Sequence, residues 1–141
     1  MTARHPKWEI PRNLASLVAA DADATWEDDR WDPIQLSVIG GTTYGGREIA
    51  LAWQVEFDPE DKRLGPANVE LQKAGLEPDG YGWAKLIEAV FARDHPASVA
   101  ELRFGDTEAS ACVVWVESEP TCRTLVEVVW SLFGIEEGSR E

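Results

Sequence analysis

Residues 47–58, REIALAWQVEFD, constrain the fold more than any other stretch. In an extended chain Ile49, Leu51, Trp53, Val55 and Phe57 fall on one side, and Ala50, Ala52, Gln54 and Glu56 on the other. Alternation of that length belongs to a strand with one face on a core and one nearer water. Such a strand needs a neighbour. PIQLSVIGG, 33–41, supplies it: a short apolar run with β-branched residues, ending in glycines. GGTTYGG between them reads as a hairpin loop. It is not a phosphate cradle, because no Lys-Ser/Thr follows and the next segment is a strand rather than the start of a helix.

Helical spacing takes over after FDPEDKRLG. A short helix is predicted from Pro66 to Ala74, with proline at its start and Gly75 at its exit. A longer one follows in EPDGYGWAKLIEAVFARDHP, residues 77–96. Asp79 is placed to cap it, Trp83, Leu86, Ile87, Val90 and Phe91 share a face, and Pro96 stops it. Gly80 and Gly82 let the chain turn into that helix and let another backbone come close. Tyr81 between them either belongs to this doorway or is displayed to a partner. AELRF, about 100–104, and ASACVVWVES, 109–118, read as a strand pair around a turn at Gly105–Thr107. Pro120 opens a last helix with Cys122, Leu125, Val126, Val129 and Phe133 inward, closed by Gly134. Trp130 lies off that stripe, as a dimer contact or against a neighbouring helix. Sequential strands usually pair, so the expected fold is α+β, an antiparallel sheet of about four strands with helices packed on one face.

Residues 1–32 fit this pattern poorly and form a partly irregular extension, with a short helix expected over Asn13–Ala20 and a loop after it. Residues 33–134 make one α+β domain, a size at which the core needs no staples, and 135–141 is a polar tail. The extension also holds the densest charge. Residues 21–32, DADATWEDDRWD, set six acids against Arg30 alone, in a chain of formal net charge −13. Phosphate binding rests on lysine and arginine, so nucleic acid and anionic membrane surfaces are excluded as partners. No apolar run is long enough to span a bilayer and the start MTARHPKWEIP has no hydrophobic signal segment, so the expected compartment is the cytoplasm. There Cys112 and Cys122 are expected as reduced core residues.

No catalytic constellation emerges. His5 and His95 lack metal-ligand spacing, the cysteines stand ten apart, and FDPED has Lys62 at the fifth position of a would-be calcium loop. The expected protein is therefore not an enzyme and carries no cofactor or metal. Trp26 and Trp31 are unusual among acids: each carries a large apolar area that must dock on the body or form a contact surface.

The stretch DGYGWAKLIEAVFARDHPASVAELRFGDTEASACVVWV resembles the immunity protein 51 family of bacterial polymorphic toxin systems. The matching positions are Gly80, Tyr81, Trp83, Leu86, Pro96, Leu102, Phe104 and Glu108, within a likeness covering roughly 34–133 and firmest over 79–117. The turn departs from the family's Phe-Asp-Pro-Glu, reading Phe104-Gly105-Asp106-Thr107-Glu108. The resemblance implies a protein encoded beside a toxin, which it binds and neutralises without catalysis. On that expectation Trp26, Asp28, Asp29, Trp31, Asp58, Glu60 and Asp61 form a contact surface for a cognate toxin of basic charge, and Tyr81 is displayed to the same partner. An effector-binding adaptor or chaperone of a secretion system would need the same kind of surface, and a small enzyme is the third class.

Overall fold

The computed structural model describes residues 8–14, 18, 25–44, 46–104 and 107–134. Its architecture is α+β: four antiparallel strands in the order β1-β2-β3-β4, with three helices. The strands are β1 (Thr25–Asp28), β2 (Gln35–Tyr44), β3 (Arg47–Phe57) and β4 (Cys112–Val116). The helices are α1 (Gly65–Lys73), α2 (Gly80–Asp94) and α3 (Glu119–Phe133), with short 3-10 turns at Lys62–Leu64 and Val99–Glu101.

β2 and β3 form the predicted hairpin, but it is longer than the pattern suggests. Pairing runs without a slip from Gln35↔Glu56 to Tyr44↔Arg47, so most of GGTTYGG is strand. The alternation of β3 holds from Leu51 to Phe57. Ile49 departs from it and packs with Ala52, Trp115 and Ile39 in a small cluster apart from the main core. The change falls where the partner strand carries Gly41 at φ 63, a conformation that breaks the regular pleat.

The fourth strand is not the one expected. AELRF contributes only an isolated bridge, Arg103↔Trp115, after the Val99–Glu101 turn. The sheet is completed instead by β1, in the stretch that reads as loop, through pairs from Thr25↔Ile39 to Asp28↔Leu36. Four residues among acids are too few to show a period. In place, Thr25 and Glu27 are exposed while Trp26 and Asp28 are half-buried, an edge-strand alternation.

The helices start and stop for local reasons. Pro66 sits in the first turn of α1. The Gly75 and Leu76 amides close back on the Gln72 and Leu71 carbonyls at 3.0 Å each, satisfying two orphan acceptors. α2 begins at its Asp79 cap and ends before Pro96, and the Ser118 hydroxyl caps α3. Their apolar stripes meet the inner face of the sheet. Leu36, Val38, Trp53, Val55, Phe57, Val114 and Val116 face Trp83, Ile87, Phe91, Leu125, Val129 and Phe133 in one buried cluster. Cys112 and Cys122 are free and buried in it; burial pushes the Cys112 thiol up to about 12 and raises Cys122 as well, so neither offers a thiolate near neutrality. Leu14 and Val18 also join it, and Asn13 is an exposed turn residue; residues 15–17 and 19–20 of the expected 13–20 helix, His5, the Gly105–Asp106 turn and the 135–141 tail lie outside the described residues. Trp130 is buried as well, its ring edge-on to Trp31 with centroids 5.7 Å apart, so it is not a dimer contact.

Candidate partner-binding end of the sheet

The Gly80–Trp83 doorway is built around a close contact between backbones. The Asp79 carboxylate accepts from the Gly82 amide at 2.9 Å, capping α2. The Gly80 amide donates to the Ala109 carbonyl at 2.9 Å, so the helix start is docked on the turn at 108–111. A Cβ at Gly80 would stand 1.8 Å from the Glu108 carbonyl oxygen, and one at Gly82 would stand 1.8 Å from that of Glu77. Both glycines are present because no side chain fits.

Trp83 anchors this start from inside. It is fully buried, edge-on to Phe57 and Phe133 with centroids 5.3 and 5.4 Å away. Its indole N–H donates to Asn68 Oδ1 at 2.8 Å, and Asn68 Nδ2 donates to the Pro59 carbonyl at 2.8 Å. One side chain on α1 thus ties the acidic loop after β3 to the helix that carries Tyr81. Tyr81 itself points away from the core and is 53% exposed, the most exposed large hydrophobic residue among those described.

Register places the acidic segments beside it. The pairs Asp28↔Leu36 and Phe57↔Cys112 bring the 29–34 turn, the 58–61 loop and the 108–111 turn to one end of the sheet. Arg63 joins the first two: its guanidinium donates to Asp32 Oδ2 at 2.6 Å and to Asp61 Oδ2 at 2.8 Å. Hydrogen bonds from that guanidinium hold the Asp61 carboxyl below its usual range. Asp28 is likewise engaged, by the Arg30 amide at 3.0 Å and by its guanidinium. Asp58 accepts from the Glu60 amide at 2.8 Å in a local turn. Asp29, Asp58 and Glu60 are exposed and form no ion pair among the described residues.

The eight residues expected to meet a partner therefore separate. Asp29, Asp58, Glu60 and Tyr81 are on the surface at this end. Trp26 is half-buried against the core, and Asp28 and Asp61 are paired with the nearby Arg30 and Arg63. Trp31 is a correction: it is 0% exposed, packed between Trp8 and Trp130, so it cannot touch another molecule. The pattern of acids around it hides a core residue. Asp32, Arg63 and Asn68 shape the site without being anticipated. Asp32 belongs to the same acidic run, but nothing in the sequence pairs Asn68 with Trp83 or Arg63 with Asp32.

The other end of the sheet is electrostatically different. Glu117 accepts from both Arg47 and Arg103, whose hydrogen bonds hold its carboxyl down to about 2. Arg103 also lies over the Trp115 ring at 5.4 Å. Glu117 is thus matched by two arginines, whereas Asp29, Asp58 and Glu60 at the Tyr81 end have no such partner among the described residues.

Among the described residues no group of three or more His, Cys, Asp or Glu side chains could hold a metal ion. Nor is any helix among them long and apolar enough to cross a membrane. Comparison of the chain with protein-family models, with curated proteins and with solved structures gives no match.

Proposed function

We propose that this chain is a cytoplasmic immunity protein that binds and neutralises a bacterial toxin encoded beside it, by occupying the toxin rather than by transforming a substrate. The observation that carries the reading is the Tyr81 end of the sheet. There an exposed aromatic shares one end of the sheet with Asp29, Asp58 and Glu60, on a scaffold fixed by Arg63 and Asn68. Aromatic side chains supply contact area at little entropic cost, and surrounding charge steers an oppositely charged partner into place. The likeness of 79–117 to immunity protein 51 points to the same activity. A net charge of −13 favours a basic toxin, and a binding protein of this kind needs no cofactor.

The test is co-expression with the isolated catalytic domain of the neighbouring toxin. Cells making the unaltered chain are expected to survive, and the two proteins to co-purify. Death of cells that contain folded, abundant chain would overturn the assignment.

A further inference from the structure

We infer that the outer edge of β1 is a strand-addition site for an extended, basic segment of the partner protein. This rests on the binding reading above and deepens it, by naming a second contact and its geometry.

The ground is a contrast between the two edges of one sheet. In antiparallel sheets successive residues send their backbone groups to opposite neighbours. On the outer side of β4, Arg103 and Trp115 exchange both backbone bonds, at 3.1 and 3.0 Å. Glu108 and Ala111 do the same at 2.8 and 3.2 Å. Between them the Thr107 hydroxyl donates to the Val113 carbonyl at 2.8 Å and accepts from its amide at 3.1 Å. Residues 111, 113 and 115 are thus all satisfied, and that edge is closed.

Alternation carries this register across the sheet. Cys112, Val114 and Val116 bond inward to β3, so Ala52, Gln54 and Glu56 bond to β2, and Leu36 and Val38 bond to β1. Their partners Asp28 and Trp26 are then the inward residues of β1. Thr25 and Glu27 direct their N–H and C=O groups outward, where no described residue pairs with them. Natural edges are blunted by shortness, charge, proline or a bulge. TWED has no proline and its pairing with β2 runs without a bulge; what guards this short edge is acidic charge, which turns away acidic strands and not basic ones.

Charge selects the occupant. Antiparallel pairing of β1 with a second copy, centred on Glu27, would set the two Glu27 carboxylates opposite one another, which is unfavourable. A segment alternating lysine or arginine with apolar residues gains main-chain bonds to Thr25 and Glu27 and meets the exposed Glu27 and Asp29 carboxylates.

Amide exchange of the full chain tests this with a short alternating lysine–valine peptide. Its glutamate–valine counterpart and a lysine–valine form N-methylated along one edge serve as controls. The basic peptide is expected to slow exchange at Thr25 and Glu27, and the two controls to leave them unchanged. Glu27→Pro removes an outward amide that the β2 ladder does not use, a position where an edge strand accepts proline. It should stay folded and bind the basic peptide about tenfold more weakly, whereas Glu27→Gln should bind with a shallower salt dependence. Should Glu27→Pro unfold, the methylated peptide decides. Equal binding of methylated and unmethylated peptides, or slow exchange of both amides in the free chain, would overturn the inference. Lack of peptide protection alongside intact rescue of toxin-exposed cells removes strand addition but not the immunity reading. Protection with failed rescue removes the toxin but not the edge.

Discussion

Gly80→Ala is expected to destabilise the protein by roughly 3 kcal/mol or more, the upper range of overpacking effects. In an ordinary helix the same change stabilises by about 0.5–1 kcal/mol, because alanine loses less backbone entropy. The sign reverses here because the new Cβ would meet backbone: the Glu108 carbonyl oxygen at 1.8 Å and that of Ala111 at 2.6 Å. Those two residues are bonded to each other, so the turn cannot simply step aside. The helix start must retreat, losing the Gly80–Ala109 bond and pulling Trp83 from its place against Phe57 and Phe133. Urea unfolding measures the effect. Lys85→Ala is the control: the side chain is exposed on the same helix and its removal is expected to be near neutral. A Gly80→Ala protein as stable as the parent would mean that the doorway is not held against the 108–111 turn.

Trp31→Ala is expected to cost about 3–5 kcal/mol, the range for deleting a large buried aromatic. The indole is fully enclosed, with Trp130 edge-on at 5.7 Å and Trp8 tilted against it at 6.4 Å. Removing it leaves a cavity that the neighbouring rings can fill only by leaving their own positions. Trp31→Phe, which keeps most of the contact, should cost less and leave partner affinity unchanged. Unfolding curves and a binding titration together separate the two roles of an indole. Loss of affinity at full stability would show that Trp31 meets the partner, contrary to its burial.

Trp31 also marks where sequence reasoning stops. Local rules found what depends on local chemistry: the strand at 47–57, the Asp79 cap, the stops at Gly75 and Pro96, and the inward stripe of α3. Each is decided within a few residues of itself. β1 escaped because its pairing with β2 is a tertiary fact, and a four-residue edge strand carries no period of its own. AELRF was over-read for the converse reason: its alternation is real, yet the Thr107 hydroxyl and Arg103 close the β4 edge without a strand. The candidate site was legible as composition but not as geometry. Acids at 28–32 and 58–61 are plain in the sequence, whereas their union through Arg63 and the tether of Asn68 to Trp83 span gaps no motif records. An acidic run likewise gives no sign of which carboxylates pair with a neighbouring arginine.

The central claim is that unpaired carboxylates at the Tyr81 end of the sheet draw in a basic toxin. Stopped-flow association of the chain with the toxin's catalytic domain over a range of salt tests it most directly. The comparison is between the parent and the triple variant Asp29→Asn, Asp58→Asn, Glu60→Gln, in which asparagine at 58 can still accept the Glu60 amide. The account predicts association at least about tenfold slower at low salt, a flatter salt dependence and a nearly unchanged dissociation rate. Identical association rates and identical salt slopes for the two proteins would contradict it.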